Sequence, residues 1–276
     1  MRSLIYRCGV LTLFAAVFIA ESRSGLAAVD PAALSADQII QKAVERSELS
    51  ATRAGHPDYR YTKRTVTEEL DAKGRLKEHK EKLYEVLVES GLSYLKLLQV
   101  NGQILSTAES KKQEAKDGAE RQKLTEGKLG QKGDDRENFL TADLVERYKF
   151  TLIGEKPLNG RNAYLLSFEP KRSDLPVRKM ADRFLNQIAG TVWVDAEEFE
   201  VGRMEVHLNA EVALWGGIIG TLRQGNFTLE RTRLQDGAWF TSFSHGLFEG
   251  RKLLEPMVVR TRSQSTNFRR ISLAAK

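Results

Sequence analysis

One cysteine occurs among the 276 residues, Cys8, and it sits at the front of an apolar N-terminal run. The rest of the chain has none, so disulfides, zinc–cysteine sites and cysteine nucleophiles are excluded there. Stability must come from an ordinary core, and the length suffices for one large β domain or two small ones. A second long apolar run is also missing. The most apolar later stretch, Ala213 to Leu222, is short and is interrupted by Gly216, Gly217 and Gly220, which excludes a transmembrane helix there. Histidine is scarce. His56, His79, His207 and His245 form no HExxH, HxH or other metal-ligand spacing. No GxSxG elbow, GxGxxG loop or Walker loop is present.

Charge of one sign is lacking too. The formal net charge is +6, and removing residues 1–28 takes away Arg2, Arg7, Arg23 and Glu21, leaving +4. This mild, mixed excess slightly favours anionic lipid surfaces. It is not the basic stripe that nucleic-acid binding requires.

What is present begins with a leader pattern. Arg2 and Arg7 supply a positive segment, and Gly9 to Ala20 is apolar apart from Thr12. Small residues follow, with cleavage open to Ser22, Ala27 or Ala28. The run is shorter than the roughly 20 residues that span a bilayer. The reading is a signal peptide over 1–28 and export to the periplasm or outside the cell; the rival is an uncleaved anchor. Cys8 lacks the lipoprotein-signal context, so lipidation is not expected.

A single domain is expected over 29–276. Ser35 and Gln38 have capping-box spacing, and Ile39, Ile40, Ala43 and Val44 then share one helix face. Strands are expected over 59–70, 76–90 and 92–100, with the last closed by the hairpin signal Asn101-Gly102. A charged insert follows at about 106–136, read as a solvated helix or excursion, and a short helix over 138–147. Further strands are expected at 148–154 and 161–169 around Asn159-Gly160, at 190–195, and in one piece from Val201 to Leu214. Others follow at 220–234, 238–248 and 253–268, with turns at Asp236-Gly237 and Glu249-Gly250. Val177 to Ile188 has helical period, with Val177, Met180, Ala181, Phe184, Leu185 and Ile188 as its stripe. The fold class is therefore mainly β with a few helices: one large, strongly curved antiparallel sheet, a barrel or half-barrel.

Catalytic pairs are not legible. Ser244 and His245 are strand neighbours and point to opposite faces. Glu68-Glu69, Asp134-Asp135 and Glu197-Glu198 offer no way to choose a carboxylate pair across a cleft. No enzyme activity, metal or cofactor is expected. The informative feature is apolar. Trp215-Gly216-Gly217-Ile218-Ile219 stands at a hairpin connection, where polar turn residues are expected. It either folds over the core or edges a lipid-binding mouth or a membrane contact.

Two short motifs carry a resemblance. Gly190-Thr191-Val192-Trp193-Val194-Asp195 leads through an acidic turn into Val201-Gly202-Arg203-Met204-Glu205-Val206, and Asp236-Gly237-Ala238-Trp239-Phe240 opens a later strand. Together with the element order, these resemble the outer-membrane lipoprotein carrier and receptor superfamily (LolA/LolB-like), nearest its uncharacterised lipoprotein-sorting-like relatives. The resemblance implies an incomplete, strongly curved antiparallel barrel with helices packed in its concavity and an apolar cavity holding acyl chains, without catalysis. The charged insert departs from the carrier. From the strand alternation, the concave face is assigned to Tyr164, Leu166, Phe168, Met204, Val206, Leu208, Val212 and Leu214. Phe184 and Leu185 are assigned to a helix covering it, and Trp215 to its mouth. Expected partners are a lipid or acylated lipoprotein, with peripheral membrane contact. An envelope protein bound by the same fold, acting as an extracytoplasmic sensor or scaffold, is the alternative.

Overall fold

A computed structural model describes residues 34–52, 58–71, 73–89, 92–125, 140–172, 174–178, 180–214, 220–252 and 255–271. The leader assigned to 1–28 lies outside these residues. Leu34–Lys276 forms one compact unit.

The first helix, α1 (Ala36–Thr52), starts where the capping box sets it. The Ser35 amide donates to Gln38 Oε1 at 2.8 Å and the Gln38 amide to Ser35 Oγ at 3.2 Å. The strands β1 (Asp58–Leu70), β2 (Leu76–Glu89), β3 (Leu92–Val100) and β4 (Gln103–Ile104) then form a meander. Asn101 adopts φ 50°, which the two-residue turn between β3 and β4 demands and asparagine tolerates. The charged segment forms α2 (Thr107–Thr125). Ser106 and Glu109 cap it reciprocally, with the Ser106 amide donating to Glu109 Oε2 at 2.9 Å. The rest of the assigned insert, beyond Thr125, lies outside the described residues.

The second half comprises α3 (Ala142–Val145), β5 (Tyr148–Leu158), β6 (Arg161–Pro170), α4 (Met180–Leu185), β7 (Ile188–Asp195), β8 (Val201–Leu208), β9 (Val212–Leu214), β10 (Gly220–Arg233), β11 (Trp239–Lys252) and β12 (Glu255–Ile271). All of the strands belong to one sheet, in the order β4-β3-β2-β1-β12-β11-β10-β8-β7-β6-β5, with β9 paired beside β10. Every pairing is antiparallel. Strands β4 and β5 end the path without closing on each other. The fold is thus the expected curved, incomplete barrel, with a helix packed on its inner face.

Three expectations are corrected. The helix over 177–188 shrinks to the six residues of α4, because its buried member is Asp182 and not the apolar stripe. The Arg147 guanidinium holds Asp182 at 3.0 Å and Asn186 at 2.9 Å, drawing the polar side inward, while Val177 is 52% exposed. The strand expected from Val201 to Leu214 is interrupted over 209–211: the Asn209 amide still donates to the Gln187 carbonyl at 2.7 Å, in line with the Ile188–Leu208 pair, but Val212 pairs with β10 as the separate strand β9. No turn forms at Glu249-Gly250, since β11 runs through both. Gly250 faces Leu222 beside a bulge in β10, where an added Cβ would lie 2.1 Å from the Thr221 carbonyl oxygen. The glycine serves close strand approach.

Paired residues share a face of the sheet, so register reveals its two surfaces. One inner-face row runs Leu152–Leu166–Val192–Met204–Leu229, from β5 through β10. It continues Ser244–Ser263–Thr65–Lys82, from β11 through β12 and β1 to β2. The row changes from apolar to polar in a single step between β10 and β11.

Candidate functional site

The apolar end of that row is the seat of α1. Ile39, Ile40, Ala43 and Val44 are all buried against Leu166, Phe168, Val192, Val194 and Val201. Each of the larger side chains contributes about 1.5–3 kcal/mol on burial. Packing is close enough to need a glycine: a Cβ on Gly190 would fall 1.9 Å from the Glu205 carbonyl oxygen and 3.0 Å from Phe168 Cζ. Around the seat, Phe150, Leu152, Tyr164, Ile188, Met204 and Val206 are packed on the cluster but only half-buried. They form an apolar rim that the helix leaves partly uncovered.

Polar groups fix the helix at its far end. Glu200 is buried, and its two oxygens accept from different elements: Arg46 of α1 at 3.1 Å and Arg231 of β10 at 2.8 Å. Beside it Phe199 adopts φ 56°, a strained conformation for a bulky residue. Its ring stacks on Tyr164 at 6.3 Å, and Lys42 Nζ of α1 lies 5.1 Å from its centroid. The turn from β7 to β8 therefore clamps α1 through one aromatic and one carboxylate.

The residues assigned from sequence fall into separate groups. Tyr164, Leu166, Phe168, Met204 and Val206 are brought together under α1. Leu208 is half-buried opposite Ile188, on the same surface. Val212 is buried on β9, which α4 contacts; Phe184 and Leu185 belong to α4 and are half-buried. Tyr148 links this corner to the seat, with its ring 5.3 Å from Phe168 and its hydroxyl donating to the Leu185 carbonyl at 2.5 Å. Leu214 pairs through its backbone with Gly220. Trp215 lies outside the described residues, as does the rest of the 215–219 segment. The covering helix is α1, and α4 sits to one side because Arg147 anchors it there.

The motif residues have structural duties. Arg161 holds the buried Asp195 carboxylate through bonds of 2.6 and 2.9 Å, and the amides of Glu197 and Glu198 donate to Asp195 Oδ1. Burial pushes the Asp195 carboxyl upward, but Arg161 and the two amides outweigh it and hold it below the usual carboxylate range. The indole N–H of Trp239 donates to Glu198 at 2.8 Å, and Asp236 accepts from the Tyr59 hydroxyl. Burial, and next the bond to Asp236, push the Tyr59 phenol upward.

The far end of the inner face carries a second cluster. Tyr59 and Tyr61 of β1, Val86 and Val88 of β2 and Phe240 of β11 are all buried. Phe240 meets Tyr59 edge-on at 4.8 Å and Phe268 at 5.3 Å.

The described residues contain no group of three His, Cys, Asp or Glu able to hold a metal ion. They also contain no helix long and apolar enough to cross a membrane. An open groove of about 660 Å³ borders Thr151, Ser167, Thr191, Glu205, His207 and Thr228. Its chemistry is hydroxyl-rich and solvated.

Sequence reasoning missed Arg46, Glu200 and Arg231. They come from three distant segments, and no local pattern marks them. It also missed Asp182, where the helical period of the apolar residues pointed to the opposite side.

No protein-family model matches the chain, and no curated protein does. Solved structures similar to it include an outer membrane lipoprotein-sorting protein domain from Vibrio parahaemolyticus, at 12% identity and TM-score 0.37, over 87% of this chain and 95% of that one. A LolA superfamily protein from Nitrosomonas europaea matches at 12% identity and TM-score 0.31, over 87% and 96%. The MucA/MucB complex of Pseudomonas aeruginosa matches at 10% identity and TM-score 0.26, over 84% and 99%. The superfamily that the motifs resemble is thus among the similar structures. At TM-scores this low, they say nothing of what this chain binds.

Proposed function

We propose that this protein is an exported, non-enzymatic binding protein that holds an acyl chain along the inner face of its sheet, beside α1. The observation that carries this reading is the half-buried apolar rim of Phe150, Leu152, Ile188, Met204 and Val206 around the helix seat. An acyl chain laid on that rim gains about 0.8 kcal/mol for each methylene it buries. Such binding needs no reactive group. The ligand class is a lipid or the acyl chains of a lipoprotein, taken up in the envelope after the leader is removed.

Mass spectrometry of organic extracts tests it, on protein purified without detergent from cells expressing the full chain. A near-stoichiometric phospholipid or acylated species is expected, and Leu208→Arg is expected to remove it while the circular dichroism spectrum stays unchanged. A ligand-free protein that also takes up no fluorescent fatty acid contradicts the reading. It would favour a scaffold for a protein partner, on which α2 is the obvious handle: 19 residues laid on β3 and largely exposed over 107–115.

A further inference from the structure

The outer face of β1 and β12 carries a band of arginines that the acyl site does not use. Arg60 and Arg64 project from β1, and Arg260, Arg262 and Arg269 are exposed on β12. The band runs from the Arg60–Arg269 pair to the Glu68–Arg260 pair, about 27 Å along the strands at about 3.4 Å per residue. Part of it borders an open groove of about 440 Å³ that includes His79 and His245.

Three observations set this band apart from an ordinary solvated face. First, three of the carboxylates near it, including Glu68 opposite Arg260, have nearer partners than the arginines of β12. Glu85 lies 3.6 Å from Arg60, Glu81 lies 2.6 Å from Arg64, and Glu68 lies 3.4 Å from His79. Among the described residues, Arg260, Arg262 and Arg269 make no ion pair. Second, the register sets like charges against each other at one pair: Arg60 is directly opposite Arg269. Like charges directly across a ladder destabilise a sheet, so folding does not reward this arrangement. Third, the Arg262 guanidinium rests over the Phe243 ring at 5.3 Å, a cation–π contact that holds it on the surface without neutralising its charge.

We infer that this outer face docks on a bilayer rich in anionic phospholipid headgroups. The charges are spread over two strands and an exposed surface, and do not converge on one point. That spacing suits many headgroups at once better than a single bound anion. Each arginine near such a surface adds to the attraction, and the effect decays within a Debye length. The inference goes beyond the acyl site and stands without it, because it rests on the opposite face of the sheet.

Vesicle co-sedimentation of the full chain tests it, using phosphatidylcholine vesicles with and without phosphatidylglycerol. Binding to the phosphatidylglycerol vesicles is expected, weakening as salt is raised. Replacing Arg260, Arg262 and Arg269 together by glutamine should weaken it by about a hundred-fold. The corresponding triple change to lysine keeps the charge and should keep the binding. All three positions are exposed, and circular dichroism checks folding. If the triple-glutamine variant fails to fold, the Arg260→Gln and Arg269→Gln single variants should each show about a five-fold loss. Equal binding by parent and glutamine variants overturns the inference, and would place any membrane contact elsewhere in the chain. Charge-dependent binding to soluble polyglutamate with none to vesicles also overturns it, in favour of an acidic protein partner. Fatty-acid uptake should be unchanged in these variants, so failure of this inference and failure of the acyl site are read separately.

Discussion

The two ends of the sheet complete their inner faces in different ways. Over β5 to β8 the strands present aliphatic side chains together with Tyr148, Phe150, Tyr164 and Phe168, and a helix from elsewhere in the chain is laid on them. Over β1, β2 and β11 the strands cover themselves, with Tyr59, Tyr61, Phe240 and Phe268 packing ring against ring. Between these ends the surface turns polar, and Thr65 and Ser263 share a hydroxyl contact of 3.0 Å. An aromatic cluster built from the sheet's own side chains is a finished core. A helix resting on a half-covered mixed surface leaves an apolar margin, and that margin is where the proposed acyl chain would lie.

Mutations should separate the two ends. The largest effect is expected from Phe240→Ala, at about 4 kcal/mol of stability for a fully buried ring. Urea unfolding measures this loss, and fatty-acid uptake by the molecules that remain folded should not change. Ile40→Ala should cost about 3 kcal/mol, because Ile40 is 1% exposed on the sheet-facing side of α1. Unlike the first change it opens space beside the rim, so fatty-acid affinity should rise. If both variants altered uptake alike, the two ends would not be distinct. Glu200→Ala strands Arg46 and Arg231 and should also cost about 3 kcal/mol. Native-state hydrogen exchange should show α1 opening more readily than β1 in that variant.

A smaller, pH-dependent effect is expected at Asp195. Its carboxyl is held low in the folded protein, so its stabilising contribution is present above the unfolded value of about 3.9 and is lost as pH falls through the folded value. Asp195→Asn should therefore lower the urea midpoint clearly at neutral pH, and the gap from the parent should close in acid. The smallest effect is expected at the far hairpin. Asn101→Ala places alanine at φ 50° and should cost about 1 kcal/mol, with no effect on uptake.

Much of the fold could be read from the chain. The Ser35–Gln38 capping box and the hairpin signals at 101–102, 159–160 and 236–237 mark real boundaries, and clean alternation located β6 and the front of β8. The errors share a cause, since local pattern cannot see a distant partner. Arg147 reverses the buried side of α4, pairing with β10 makes Val212–Leu214 a strand of its own, and a bulge in β10 turns Gly250 from an expected turn into a strand contact. The site was legible in part for the same reason. Alternation identified the floor residues Leu166, Phe168, Met204 and Val206 as one surface, but it could not say which helix covers them. The Arg46–Glu200–Arg231 clamp joins residues far apart in sequence, and nothing near any of them announces it.

Photo-crosslinking tests the central claim most directly. The protein would be loaded with a diazirine-labelled fatty acid, irradiated and mapped by peptide mass spectrometry. Label on α1 and on the β5–β8 rim, at residues such as Met204 and Val206, is the predicted result. Label concentrated on Tyr59, Tyr61 and Phe240, or no label above that on a non-binding control protein, would contradict it.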